Sequence, residues 1–202
     1  MIPLKKFLAL SATAVAAVIA LTGCSTGTGE DMPGMDHSAS ATTSQTTAVT
    51  GGEHNSADTM FAQMMIPHHE QAVEMSEIML AKTGLDPKIE TLSQEIKAAQ
   101  APEIQKMTAW LTGWGEPTAT SGSHGMDGMM TESDLDKLTA AQGTELSKLF
   151  LTQMIAHHEG AVKMADTEVT DGKNADAVAL AKDIVSSQES EIKEMQDLLA
   201  TL

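Results

Sequence analysis

Phe61-Ala-Gln-Met-Met65-Ile-Pro-His68-His69-Glu70-Gln-Ala72-Val73-Glu-Met75 recurs as Phe150-Leu-Thr-Gln-Met154-Ile-Ala-His157-His158-Glu159-Gly-Ala161-Val162-Lys-Met164, at an offset of 89 residues. A second signature, Gln100-x-x-Glu103-Ile104-x-x-Met107, returns as Gln188-x-x-Glu191-Ile192-x-x-Met195 at an offset of 88. A chain that repeats itself at a fixed period builds one structural unit twice, and here the unit holds two segments. Phe61, Met64/Met65, His68, Ala72, Met75 and Met79 fall on one stripe of 3.6-residue period, as do Phe150, Met154, His157, Ala161 and Met164. The partner segments carry Ile89, Leu92, Ile96, Ala99, Met107 and Trp110 in the first half, and Leu180, Ile184, Met195 and Leu198 in the second. Asp86 is a plausible N-cap with Pro87 at the first helical position. Breakers at Gly84 to Pro87 and at Asp171-Gly172 divide each pair with a short loop. The pattern predicts an all-α fold of two repeated antiparallel hairpins packed as a four-helix bundle. Pro67 and Pro102 should each fall inside a helix, cost it a backbone bond and kink it.

Working outward, the folded region spans residues 58–202, with repeat one at 58–114, a linker at 115–131 and repeat two at 132–202. The linker is polar and Gly-rich and contains His124-Gly-Met126-Asp-Gly-Met129-Met130. Residues 24–57 are rich in Ser, Thr and Gly and cannot bury enough surface to fold, so they read as a flexible tether. Met32, Met35, His37 and His54 lie within it. Met is an odd choice for a solvated spacer, and both stretches resemble weak copper-collecting tracts.

Residues 1–23 read as a signal peptide. Lys5 and Lys6 precede an apolar run from Phe7 to Leu21, about 15 residues and too short to span a bilayer. Leu21-Thr-Gly-Cys24 resembles a bacterial lipobox, which implies lipidation at Cys24. Cys24 is the only cysteine, so an internal disulfide and a Cys-based metal site are excluded. The expected location is the cell membrane, lipid-anchored and facing the outside of the cytoplasm, in the periplasm or at the cell surface.

The formal net charge is −16, there is no Arg, and residues 1–29 hold none of the acidic groups. That balance lacks the footprint of a nucleic-acid binder and suits cations. Fifteen Met against three Phe, two Trp and no Tyr is a bias that needs a cause.

On a helix, Met65 lies three and four residues before His68 and His69, and Met154 stands likewise to His157 and His158. Such spacings bring a thioether and an imidazole to one patch. That donor set suits Cu(I) and, through the imidazoles, Cu(II). The repeat should oppose the two His pairs across the bundle, with Met75, Met164, Met107 and Met195 as a further tier of sulfur. Glu103 and Glu191 lie on the apolar faces, where they are acceptors for imidazole N–H groups, ligands, or kink caps reaching solvent. Glu70 and Glu159 turn away to solvent. Against the metal reading, a Met stripe is ordinarily core filling and a single inward His is ordinarily a hydrogen-bonded core residue. Two adjacent His in each of two copies, each preceded by Met, favour metal.

The doubled Met-Ile-x-His-His-Glu-x-Ala-Val-x-Met resembles the bacterial domain-of-unknown-function family 305. That resemblance implies an exported, ferritin-like four-helix protein, and it covers about residues 58 to 202. Several members are associated with copper. The chain departs from the common pattern at Gln63 and Thr152, where many members carry an acid, and at Leu146-Ser147, where many have Phe-Asp.

The resulting expectation is a copper-binding lipoprotein that sequesters or transfers copper, with no catalytic step. Its metal ligands would be His68, His69, His157, His158, Met65, Met154, Met75 and Met164. Its partners would be the membrane and a copper-donor or copper-acceptor protein, with no nucleic acid. The alternatives are a di-iron oxidase and a structural lipoprotein without metal. The oxidase wants Glu-x-x-His pairs, yet Met65 and Met154 occupy the positions three before His68 and His157.

Overall fold

A computed structural model describes residues 52–119 and 126–202. The signal segment, Cys24, Met32, Met35, His37 and His124 lie outside the described residues. Five helices follow in order: α1 Ser56–Leu80, α2 Pro87–Trp114, α3 Glu132–Ala140, α4 Gly143–Asp171 and α5 Ala175–Leu199. Among the described residues there is no strand, and no helix is long and apolar enough to cross a membrane.

Local chemistry sets the helix ends. Asn55 caps α1 by accepting from the N–H of Ala57 and Asp58, and Asp58 returns a bond to the Asn55 N–H at 2.6 Å. Asp86 caps α2 through the Lys88 N–H at 2.8 Å, with Pro87 at the first turn where its missing N–H costs nothing. The helix stops at Gly115, whose φ of 75° is left-handed. Asn174 caps α5.

α3 is an addition to the expected four helices. Thr131 and Asp134 form its capping box, Thr131-Glu-Ser-Asp134, and Leu138 is fully buried beneath it. The linker is likewise more than a polar spacer at its described end. Gln71 binds both backbone groups of Met130, at 2.9 and 2.7 Å, and Met130 packs on the core. Pro67 and Pro102 sit inside α1 and α2, each of which runs unbroken through its proline. Each leaves one carbonyl, four residues earlier, without its helical donor. Ala99 is exposed rather than on the apolar face, and Gln100 takes the buried position beside it.

α1 packs chiefly on α2 and α4 on α5, and α1 against α4 joins the two hairpins. α1 and α4 run antiparallel: Phe61 of α1 shares a cluster with Ala161 and Ala165 of α4, and Met75 and Met79 share another with Leu146 and Phe150. The first cluster adds Met65, Met107, Trp110, Leu180 and Ile184. The second adds Ile89, Leu92, Ile96, Met154 and Met195. Each of the four long helices has a gap in its apolar stripe between the clusters. His68 and His69 fill it on α1, Gln100 and Glu103 on α2, His157 and His158 on α4, and Gln188 and Glu191 on α5. The middle of the bundle is therefore a polar layer between two apolar ones.

Candidate metal centre

All four histidines are buried, with at most 1% exposure. The His68 and His157 rings meet between α1 and α4 with centroids 3.7 Å apart and planes inclined at 40°. The His157 and His158 ring centroids are 6.3 Å apart. His69 Nε2 lies 2.7 Å from Glu103 Oε2, and His158 Nε2 lies 2.7 Å from Glu191 Oε2. The repeat thus builds the same imidazole–carboxylate pair twice.

These contacts assign the ring protons. A carboxylate only accepts, so Nε2 of His69 and of His158 donates, and in the neutral ring Nδ1 keeps its lone pair. His68 Nε2 lies 3.3 Å from the Asp127 carbonyl, which again leaves Nδ1 as the acceptor. None of these three Nδ1 atoms has a partner, and neither nitrogen of His157 has one. The side-chain oxygens of Gln100 and Gln188 are also buried and unpartnered. Buried polar atoms are almost always satisfied, so a set of orphans in one layer requires an explanation. In the neutral rings nearly all of these orphans are lone pairs, and buried lone pairs without a donor call for a cation or a proton.

A proton is refused. Burial holds His68 down at about 3, with the neighbouring charge of His69 pushing the same way. Burial, then His68, His158 and His69, hold His157 lower still. Both rings are neutral at physiological pH, the form a metal requires.

Met65 and Met154 are fully buried one turn before the histidines. Met75 and Met164 are not brought to the layer. Each lies seven residues beyond its histidine, about 10 Å along the helix. Met75 is buried in the second cluster, whereas Met164 packs half-buried on the first. The tier of sulfurs is therefore split between the two ends, with Met107 in the first cluster and Met195 in the second. Glu70 and Glu159 are exposed. Among the described residues, no group of three or more His, Cys, Asp or Glu side chains is arranged to hold a metal ion. Met65 and Met154 stand one turn from the imidazoles, and a donor set that joined thioether to imidazole would suit a soft ion better than a hard one.

Sequence reasoning missed what closes the layer. The linker crosses the α1–α4 groove at Asp127-Gly128, so close to α4 that a Cβ on Gly160 would collide with the Asp127 backbone. Gly128 has a φ of +83° and is equally confined, a Cβ there meeting the Ala156 carbonyl at 2.5 Å. The signal was present at the one position where the His-His-Glu-x copies differ most in size, Gln71 against Gly160. Gln71 holds the loop and Gly160 makes room for it. The orphaned Gln100 and Gln188 were visible as part of the repeated signature, but the pattern gave them no role.

Solved structures resemble this chain, among them two DUF305 proteins and CopM. A DUF305 protein of Streptomyces coelicolor, assigned as secreted, is 38% identical with a TM-score of 0.69, over 72% of this chain and 93% of that one. A DUF305 fragment from Deinococcus radiodurans is 30% identical with a TM-score of 0.67, over 73% and 98%. CopM with Cu(I) bound is 34% identical with a TM-score of 0.62, over 71% and 96%. CopM has also been solved with Cu(II) and with Ag bound. No curated protein matches. The sequence profile of the DUF305 family, a domain of unknown function, matches residues 58–199, and the chain belongs to that family.

Proposed function

We propose that this chain is an extracytoplasmic copper-binding lipoprotein, which sequesters copper or hands it to another protein. Copper would be held in the middle layer by His68, His69, His157 and His158 with the thioethers of Met65 and Met154. The observation that carries the reading is the set of buried, unpartnered imidazole nitrogens and amide oxygens in that layer. The likeness to CopM, solved with Cu(I) and Cu(II) bound, supports the choice of metal. The layer's carboxylates argue against a di-iron oxidase, because Glu103 and Glu191 are each spent on an imidazole. The lipobox at Cys24 and the likeness to a protein assigned as secreted support the location. Cys24→Ser is expected to release the chain from the membrane fraction or block its processing.

Metal analysis of the purified protein, followed by Cu(I) titration against a chromophoric chelator, tests the reading. The parent is expected to bind copper tightly, and the variant with His68, His69, His157 and His158 all changed to Ala to lose that site. Equal titration curves for the two proteins would place the metal elsewhere.

A further inference from the structure

Among the described residues, the groove between α1 and α4 is covered at one end and open at the other. At the covered end α3 lies over Met75 and Met79, both fully buried, and Leu138 packs against them. There the sulfurs are core. At the opposite end, the N-terminus of α1 and the C-terminal part of α4 enclose a cavity of about 470 Å³. No described segment covers it as α3 covers its counterpart. Its walls include Met60, Phe61, Met64, Met164 and Thr167, with Glu168 among the lining residues. Met60 is 57% exposed, which no packing argument explains. Met64 and Met164 are half-buried.

The repeat shows that this end is specialised. At the offset of 89, the positions matching Met60, Met64 and Glu168 are Leu149, Gln153 and Met79. The open end thus has Met60 and Met64 where the covered end has Leu149 and Gln153, and a carboxyl in place of the Met79 thioether, one thioether more in all. Glu168 is 1% exposed, and both its oxygens are buried without an N–H donor. It stands beside Asp58, which takes the N–H groups of Asn55, Lys173 and Asn174. Burial, and then Asp58, push Glu168 up to about 8.

We propose that this cavity is a second, solvent-open site for a monovalent soft ion, Cu(I), held by the thioethers of Met60, Met64 and Met164. Three thioethers from two helices form a donor set that selects Cu(I). Met64 stands one turn before His68, so the site adjoins the buried layer and forms its entrance. The inference rests on the copper reading, since the histidine layer is what gives an entrance its destination.

The test is a titration of the full-length chain, labelled at the Met methyl groups, with Ag(I) as a redox-inert probe followed by NMR. The methyl resonances of Met60, Met64 and Met164 are expected to shift together at about one equivalent. The variant M60L/M64L/M164L should lose that equivalent while keeping its fold, because Met and Leu have similar volumes. Cu(I) uptake by the histidine layer should slow by tenfold or more in the same variant. Shifts at Met65 and Met154 without any at the cavity would overturn the entrance and leave the histidine layer standing. Shifts at the cavity with an unchanged layer would support the site and sink the copper reading of the histidines. With no shift anywhere, the groove is only an apolar surface, and both inferences fall.

Discussion

Each of His69 and His158 gives its Nε2 proton to a carboxylate on the neighbouring helix, and this bond decides which nitrogen can bind metal. Without an acceptor the ring could flip or change tautomer and withdraw Nδ1 from the layer. Carboxylates in that position also raise the basicity of the imidazole, and losing one typically lowers metal affinity 10–100-fold. Glu103→Gln and Glu191→Gln should therefore each weaken copper binding by about that range, with helix content unchanged. Competition against a chelator would measure it. Unchanged affinity in both variants would reduce the carboxylates to hydrogen-bond acceptors for core histidines. At this scale much was legible: the doubled His-His and the Glu on the facing segment were both on the sequence. Which nitrogen was free was not, because a tautomer is set by partners brought in from 33 and 34 residues away.

Long amphipathic helices declare themselves by period, and α1, α2, α4 and α5 each carry enough apolar residues to be read. α3 has nine residues and only Leu135 and Leu138 facing the core, too few to stand out beside a Gly-rich linker. Its capping box at Thr131 was the available signal. Ala99 was misplaced for a related reason: a search for apolar residues passes over the polar layer, where Gln100 holds the inward position. The linker and α3 together form a clasp over one side of the groove, and its seat on α4 is Gly160. Gly160→Ala puts two effects in opposition. Alanine favours the helix by about 1 kcal/mol, but its Cβ occupies the space of the Asp127 backbone. Net stability should change little while the loop lifts from α4 and Asp127 leaves His68. Hydrogen exchange at the Met130 amide, bonded to Gln71 at 2.7 Å, would report the lifting. Retained protection at Met130 would show that the loop adjusts without detaching.

Across the whole molecule, two kinds of buried ionisable group pull stability in opposite directions with pH. The ordinary histidine value is 6.5, and His68 is held at about 3 in the fold, with His157 lower. Between those limits the unfolded chain binds protons that the folded chain refuses, so acidification below pH 6.5 destabilises the bundle. Glu168 has the reverse sign. Raised from 4.5 to about 8, it holds its proton in the fold where the unfolded chain has released it. Its contribution is complete below pH 4.5 and is lost as pH climbs through 8. From pH 4.5 to 6.5 two histidines outweigh one glutamic acid, and above 6.5 only the glutamic acid remains. The apo protein should therefore be most stable near pH 6.5 and lose stability on both sides with similar slope, becoming steeper on the acid side below pH 4.5. Glu168→Gln should flatten the alkaline limb and steepen the acid limb between pH 4.5 and 6.5, where the glutamic acid opposes the two histidines. Copper acts within the folded state, on the imidazoles of His68 and His157 that the fold already keeps unprotonated. At a free concentration 100 times its Kd it adds about 2.7 kcal/mol, or roughly 5–10 °C in Tm for a domain of this size. That gain should therefore hold as pH falls below 6.5, until the folded His68 protonates at about 3. Thermal melts from pH 4 to 9, with and without Cu(I), would measure all three effects. An acid limb missing from the apo curve would show that the histidines are solvated after all, and a copper gain that fades between pH 6.5 and 4.5 would show that the folded imidazoles compete with protons as exposed ones do.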